Sequence, residues 1–436
     1  MNTINFKEKE TVYKKIKNTE QIVHYPNYIK QLKKNAFEKF ESLNFPTTKH
    51  EEWKYTSIDS ILKNTYSFFE NINDTIEEKT IQPFLIKNWD ANVIVIVNGI
   101  FNKELSHIIS PANEVVIESF QKAYQHHAHL MERYLGKIAS YEADIFTSLN
   151  TASIQDGLFI YTPDHKKVAK PISIHFINEI KETNKIIQPR LLCVVGKNSQ
   201  IELIENTHSI GNHIAFTNMI TEIALEENAH ATCYKIQNDV STSLQVATTE
   251  VWQKKNSSFT HHTITLNGSF TRNNLNIRLN EEYAQANMYG LYILNDKMHV
   301  DNHTIVDHIK PNCLSNELYK GIISNKAKGV FNGKIYVRPD AQKTNAFQSN
   351  KNILLSPDAS MNSKPQLEIW ANDVKCSHGS TTGQLDQEAI FYLRSRGVPE
   401  EEAKKLLMHA FAEEILEKIM IKDLHTHLVA FFHKNN

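Results

Sequence analysis

Cysteine is scarce in this chain, with four residues in 436, and no two of them form a C-x-x-C pair. A secreted disulfide framework or a structural zinc site needs more cysteines or closer ones. An important thiol therefore acts alone or together with groups from elsewhere in the fold. The four cysteines are Cys193, Cys233, Cys313 and Cys376.

Long apolar segments and an excess of one charge are also missing. The longest strongly apolar run, residues 93–97, is far too short to span a bilayer, and the charged first residues lack the apolar centre of a signal peptide. Lys and Arg (48) balance Asp and Glu (49), so no general attraction to nucleic acid or anionic membrane is expected. We expect a soluble, cytoplasmic protein with neither nucleic acid nor membrane as a partner.

The common catalytic fingerprints are absent. The sequence holds neither G-x-x-x-x-G-K-[ST] nor G-x-G-x-x-G, and so we expect that this chain binds no nucleotide by itself. It also holds no H-E-x-x-H and no G-x-S-x-G, which removes support for a zinc protease or a serine hydrolase.

The first third of the chain has mixed but mainly helical patterns. Residues 26–43 place apolar side chains at helical spacing, and residues 118–150 do so again. Between them, residues 92–99 form a β-branched run ended by Asn-Gly, which predicts a buried strand. We therefore predict a mainly helical N-terminal domain over residues 1–150.

From about residue 155, short β-branched runs replace the helical pattern, and a small residue that opens a strand recurs after one or two polar residues. The first intervals are 30, 28, 27 and 29 residues, and later alternate members are 28 and 32 apart. A period near 30 with a half-period near 15 favours stacked parallel rungs over a β-sandwich with irregular strands, the alternative that periodicity leaves open. The recurring residues are Ser199, Ala229, Ser257, Ala284, Cys313, Ala327, Ala341, Ala359 and Val374.

Glycine is scarce for such a solenoid, at 13 residues. Asn and Asp tolerate left-handed backbone geometry, and we therefore expect them at many of the corners. The predicted fold class is mainly β, with a right-handed parallel β-helix core over residues 151–385.

Helical patterning returns over residues 386–436. Asp386 is a predicted N-cap, Gly397 ends the first helix, and Pro399 is expected at the first position of the second. These helices are expected to cap the open end of the solenoid, to dock a partner, or to do both.

Two clusters carry ligand-type side chains. In HVDNHTIVDH, strand alternation puts His299, Asp301, His303 and Asp307 on one face, where they form a metal site, a solvated face or a polar interface. In NDVKCSHGS, Cys376 and His378 share a strand face about 7 Å apart. Thiolate and imidazole are ligands that iron and clusters use, but two ligands cannot complete a site, so a partner chain or another rung must supply the rest. A buried Cys beside a hydrogen-bonded His is the structural alternative.

Several long ordered segments, together with an earlier motif P-x-x-x-x-x-E-W-x-Y-T at residues 46–56, closely resemble the SufB/SufD family of iron–sulfur cluster assembly scaffolds. The likeness reaches nearly the whole chain, although residues 60–180 match loosely. The segments are HTIVDHIKPNCLSNELYKGI, KAKGVFNGKIYV, QKTNAFQSNKNILL, KPQLEIWANDVKCSHGSTTGQLD and IFYLRSRGV.

The resemblance implies a non-enzymatic subunit that pairs with a SufB-type subunit and docks a SufC-type ATPase through its C-terminal helices. A nascent iron–sulfur cluster would then form transiently at the interface with SufB, and the C-S-H-G motif, here beginning at Cys376 and including His378, would contribute interface residues. A homodimer of the isolated chain and a flavin in the complex stay open.

Within the family, the uninterrupted CSHGSTTGQLD, the shorter length and the lack of an N-terminal cysteine cluster favour the SufD type over a SufB-like paralogue. A carbohydrate-active β-helix enzyme is the competing class, but the sequence offers no clear acidic pair for it. A purely structural β-helix adaptor is the third.

Overall fold

The computed structural model describes Lys9, Val12 and residues 25–68, 76–86 and 89–435, with side chains described through residue 433. The predicted N-terminal domain also includes residues 1–8, 10–11, 13–24, 69–75 and 87–88, which lie outside the described part.

The described helices precede or follow the continuous run of strands that begins at Leu158, and four earlier strands lie among the N-terminal helices. Short 3₁₀ turns cover Glu51–Trp53 and Gln82–Phe84. The α-helices are α1 (Asn27–Ser42), α2 (Asp59–Leu62), α3 (Glu78–Ile81), α4 (Phe120–His126), α5 (Ala128–Tyr134), α6 (Ile145–Ala152), α7 (Gln387–Ser395), α8 (Glu400–Leu416) and α9 (Lys422–Asn435).

The strands form two long sheets. The first strands are β1 (Ser67–Phe68), β2 (Asn92–Val97), β3 (Ile100–His107), β4 (Val116–Ser119), β5 (Leu158–Thr162), β6 (Ile172–Ile180), β7 (Lys185–Ile187), β8 (Arg190–Val195), β9 (Gln200–Gly211) and β10 (Ala215–Leu225). The later strands are β11 (His230–Asn238), β12 (Ser243–Gln253), β13 (Ser258–Asn267), β14 (Phe270–Leu279), β15 (Gln285–Leu294), β16 (His299–His308), β17 (Leu314–Ile323), β18 (Lys328–Val337), β19 (Thr344–Leu354), β20 (Ser360–Ile369) and β21 (Val374–Gly383).

Sequential strands alternate between the two sheets and build a solenoid of about eight turns. Sheet 1 runs β20-β18-β16-β14-β12-β10-β8-β5-β4, with β7 also paired to β10 and β1 paired to β7. Sheet 2 runs β21-β19-β17-β15-β13-β11-β9-β6-β2-β3. Successive rungs pair in parallel, as where Ala215 faces Ser243 and Gln285 faces Leu314. The predicted parallel β-helix core is confirmed, and the parallel pairing excludes the β-sandwich.

Non-glycine residues with a left-handed backbone conformation form many of the corners, as the scarcity of glycine predicts. Asn, and once Asp, takes most of these positions, while Tyr283 (φ +61°) and Lys343 (φ +60°) take two of them at a cost in backbone strain. Where a left-handed Asn or Tyr283 precedes it, the recurring small residue follows within one or two positions, and all the recurring residues are buried except Val374, which is partly exposed. The polar corner residues are Asn198, Asn228, Asn256, Asp296, Asn312 and Asn325.

Helices cover the outer faces of both sheets. The N-terminal helices pack aromatic side chains such as Phe40 and Phe146 against Phe216 and Phe270 on sheet 1. The C-terminal helices pack Ile415 and neighbouring apolar residues on the outer face of sheet 2.

The expectation that the C-terminal helices cap the solenoid is wrong. These helices pack on an outward-facing apolar surface of sheet 2, formed by Tyr234, Ile264, Leu291 and Ile322. They leave the C-terminal end of the solenoid uncovered within the described part of the chain.

The predicted helix termini are close to those observed. The Asp386 side chain accepts hydrogen bonds from the backbone N–H groups of Glu388 and Ala389, and Gly397 ends α7 with φ +91°. Pro399 is extended and precedes the second helix, which begins at Glu400, one residue later than expected.

Among the described residues, no helix is both long enough and apolar enough to cross a membrane.

Candidate functional site at the open end

The last rung of the solenoid is formed by β20 and β21, the final strands of the two sheets. In the described part of the chain each pairs with a strand on one side only, β18 and β19 respectively. The Ser380 hydroxyl donates a 2.7 Å hydrogen bond to the Ser363 hydroxyl and joins the two sheets across the mouth of the interior. Two ten-residue strand edges therefore lie open beside each other.

Cys376 and His378 lie on β21 and face the interior column of the solenoid. Their Cα partners one rung below are Ala346 and Gln348, both buried inward-facing residues of β19. Paired positions of a parallel sheet point to the same face, so both side chains continue buried columns out to the open end. The pairing brings the two predicted site residues together on one face.

The two side chains differ in environment. Cys376 is half-buried and packs in an apolar cluster with Ile335, Ala341 and Ala371, whereas His378 is exposed. Burial raises the pKa of the Cys376 thiol, and a hydrogen bond from the backbone of Ala346 acts in the opposite sense. The thiol therefore binds a proton more tightly than an exposed cysteine does, and a cation that it ligates has to displace that proton.

Two ligands are too few for a complete metal or cluster site. Within the described ranges, no group of three or more His, Cys, Asp or Glu side chains is arranged to hold a metal ion. A metal or cluster bound by these two side chains would need its other ligands from whatever covers the open end.

A buried polar pair lies directly behind His378. The Gln348 amide nitrogen donates a 2.7 Å hydrogen bond to a carboxylate oxygen of Glu317, one rung further inside. Burial raises the pKa of Glu317 to about 7, while a hydrogen bond from Gln348 acts in the opposite sense. A Cβ on Gly333 would lie 2.2 Å from the Gln348 amide nitrogen, so only glycine leaves room for this side chain.

Sequence reasoning missed this pair. Glu317 and Gln348 are 31 residues apart, and either position alone has the spacing of an ordinary exposed strand residue. The available signal is a polar residue at an inward-facing position. Such a position can be recognised only once the register of the rungs is known.

The row of ligand-type side chains on β16 is a buried polar interface. The N-terminal 3₁₀ turn and the residues after it cover this row. His303 forms a 2.5 Å hydrogen bond with Glu52, and Thr56 donates one of 2.6 Å to Asp301. Asp301 also pairs with buried Arg272. Of the three alternatives, the structure favours the interface.

Glu52 is the electrostatic centre of this contact. Burial raises its pKa, but hydrogen bonds and charges from His303 and Lys334 outweigh burial and lower the pKa to about 2. Neighbouring Glu51 pairs with Lys364 on β20. The segment thus connects β16 and β18 with the open edge of sheet 1.

The remaining two members of that row and the other cysteines do not form a site. Asp307 accepts two hydrogen bonds from Arg338, at 2.7 and 2.9 Å, and His299 contacts Thr56 at 3.0 Å. The other thiols, Cys193, Cys233 and Cys313, are buried, and burial raises the pKa of each.

The C-terminal helices are pinned to sheet 2 and expose apolar side chains outward. Lys320 on β17 donates a 2.7 Å hydrogen bond to the Phe411 carbonyl and pairs with Glu414 at 2.5 Å. On the other side, Phe391 is 74% exposed and Met420 is 79% exposed.

A solenoid with two uncovered strand edges, a cysteine and a histidine at its mouth and exposed apolar side chains beside its C-terminal helices has the features of an assembly scaffold. Residues 176–411 match the family model described as "SUF system FeS cluster assembly, SufBD core domain", and residues 8–174 match the one described as "SufBD protein N-terminal region". The chain belongs to the SufBD family of iron–sulfur cluster assembly proteins.

Curated relatives agree with this placement. An iron–sulfur cluster assembly SufBD family protein of Synechocystis is 32% identical over 391 residues, covering 88% of this chain and 86% of the relative. The iron–sulfur cluster assembly protein SufD of Escherichia coli is 29% identical, covering 88% of each chain. A chloroplastic protein of Arabidopsis thaliana is 25% identical, covering 91% of this chain and 84% of the relative.

Proposed function

We propose that this chain is the SufD-type subunit of a cytoplasmic iron–sulfur cluster assembly complex. It acts as a scaffold without catalysis of its own, pairs with a SufB-type subunit and docks a SufC-type ATPase. A nascent cluster is the cargo, held transiently between the two scaffold subunits.

The open end is the observation that carries the proposal. Natural proteins blunt or cover exposed strand edges, because such edges template pairing with another chain. Here β20 and β21 expose two full-length edges, of which β20 includes Pro365, a residue without a backbone N–H to donate to an added strand. A SufB-type partner adding strands here would cover both edges, and without it two copies of this chain have the same opportunity.

Such pairing places Cys376 and His378 against the partner. A thiolate and an imidazole on one face supply two ligands of the types that iron accepts, and the partner supplies the remainder. The Escherichia coli relative named SufD, similar over most of both chains, favours the SufD type over a SufB-like paralogue. Family membership leaves no support for a carbohydrate-active enzyme.

The C-terminal helices supply the surface for the ATPase. Phe391 and Tyr392 on α7 are exposed aromatic side chains, the kind that anchors protein interfaces. Lys320 fixes α8 to β17, and a displacement of these helices by the ATPase would reach the sheet that carries His378.

The test is co-expression with candidate SufB-type and SufC-type chains, with and without His378→Ala, followed by anaerobic isolation and measurement of bound iron and sulfide. His213→Ala changes an exposed histidine at a distant corner and is the matched control. We expect the complex in all three cases and a loss of cluster in His378→Ala alone. Failure of the wild-type chain to form the complex would refute the proposed function, and full cluster content in His378→Ala would restrict His378 to a structural role.

A further inference from the structure

A buried amide behind the open end has one of its two polar atoms unused. The Gln348 side chain is 3% exposed, and its amide nitrogen is committed to Glu317. Its carbonyl oxygen is buried and has no hydrogen-bond partner among the described residues. A buried acceptor without a donor destabilises the fold, so a donor for this oxygen is favoured.

Along its own sheet, Gln348 has one neighbour that can supply a donor. Along this interior column, Gln348 has Glu317 as its Cα partner on one side and His378 on the other. Rungs lie about 4.8 Å apart, so side chains at paired positions stack within reach of each other. Glu317 takes the amide nitrogen, and the side chain on the remaining side, His378, carries an N–H.

We propose that Gln348 is a positioning residue for His378: its amide oxygen accepts an imidazole N–H when the partner closes the open end. This inference rests on the proposed function, because it assumes that His378 meets the iron of the cargo. The hydrogen bond selects the tautomer in which the inward nitrogen carries the proton, and the outward nitrogen keeps its lone pair for the cation.

Glu317 completes the arrangement by orienting the amide. Its carboxylate accepts the Gln348 N–H at 2.7 Å, which leaves the amide oxygen for the opposite side. Gly333 gives the amide nitrogen the space to lie there. Metal-binding histidines commonly donate their second N–H to such an acceptor, and loss of the acceptor costs about 10- to 100-fold in metal affinity.

The test is a double-mutant cycle on ferrous iron affinity, measured by anaerobic equilibrium dialysis of the complex of this chain with its SufB-type partner. We expect Gln348→Met to weaken iron binding about 10- to 100-fold in the wild-type background and to have no further effect in a His378→Ala background. The swap of Glu317→Gln with Gln348→Glu keeps an acceptor beside His378 and is expected to restore most of the affinity.

Gln366→Met is the matched control, because it makes the same substitution on the adjacent rung, on the outer face of sheet 1. It should leave iron affinity unchanged in both backgrounds. If Gln348→Met does not fold, as judged by circular dichroism, Glu317→Gln takes its place in the cycle, with a smaller expected loss.

An equal loss of affinity with and without His378 would overturn the inference, since Gln348 would then be purely structural. No loss in either background would overturn it as well. A different result, full iron affinity in His378→Ala itself, would instead refute the placement of His378 at the cargo and with it the proposed site.

Discussion

The edge strands at the two ends of the solenoid differ in direction, length and regularity. At the N-terminal end, sheet 2 finishes with β3, which turns back antiparallel through Asn98-Gly99, has an irregular register and carries Lys103 and Glu104. Sheet 1 finishes with the four-residue β4, also antiparallel. At the C-terminal end, β20 and β21 are parallel, regular and ten residues long.

We infer that the N-terminal edges hinder pairing with another chain, whereas the C-terminal edges permit it. Bulges, charges and short strands are the devices by which proteins prevent edge-to-edge association. The first end has a short strand, an irregular register and antiparallel turns, whereas the second has long, regular strands, although these carry Lys364, Pro365 and Lys375. The predictions below test this contrast.

The largest effect is expected from a charge at the mouth of the open end. Ser380→Arg replaces the hydroxyl that bonds Ser363 and places a cation between the two edges. We expect association with the SufB-type partner to weaken about 100-fold or more, since an unpaired charge in an interface costs several kcal/mol. Sedimentation velocity measures the association. Glu104→Arg at the blunted end is the control, and an equal loss there would remove the distinction between the ends.

The next effect concerns residues 51–56, which contact β16, β18 and β20 and which we call the brace. Asp301→Ala leaves buried Arg272 without its carboxylate and removes the acceptor of Thr56. We expect a loss of about 3–5 kcal/mol in the free energy of unfolding, measured with urea, because one partner of a buried ion pair is removed.

Asp307→Ala is the control for that measurement. It lies on the same face of β16, but its partner Arg338 is half-exposed, so the change should be small. A large loss in both variants would show that the strand as a whole is sensitive, and that the contact with the N-terminal segment has no special role.

A smaller and pH-dependent effect is expected at Glu317. Its folded-state pKa is about 7, well above the value of roughly 4.3 for an unfolded chain. Between these values the folded state holds a proton that the unfolded state has lost, so this group lowers stability as pH rises from about 4 to 7, and the deficit persists above pH 7.

Glu317→Gln should therefore match the wild type at pH 4 and be more stable at pH 8, by the order of a few kcal/mol. Urea unfolding at both pH values measures this difference. Glu104→Gln, an exposed carboxyl, should show no such trend. A Glu317→Gln variant that is less stable than the wild type at pH 8 would contradict the burial argument.

The smallest effect is expected at the tip of the brace. Glu51 is exposed, and its pairing with Lys364 takes place in solvent. We expect Glu51→Ala to leave the unfolding midpoint and partner association unchanged, because surface ion pairs contribute little. Loss of association in this variant would mean that the brace holds β20 in the shape that pairing needs.

The sequence determined the repeat, the corners and the faces. Asn and Asp before small residues at a period near 30 identify the rungs, because left-handed corners and inward crowding restrict residue types at single positions. The pairing of Cys376 with His378 on one face follows from strand alternation, which is also local.

Only the tertiary structure decided which surface each helix or segment packs against. The sequence predicts an apolar face on the C-terminal helices and polar side chains in the segment around Glu52. It does not predict which surface of the solenoid either of them contacts. The partners of Gln348 lie about 30 residues away on either side, and a one-residue change of register would have turned that side chain outward. The open end, the buried column behind His378 and the brace on β16 all depend on contacts between distant residues, and local patterns do not encode such contacts.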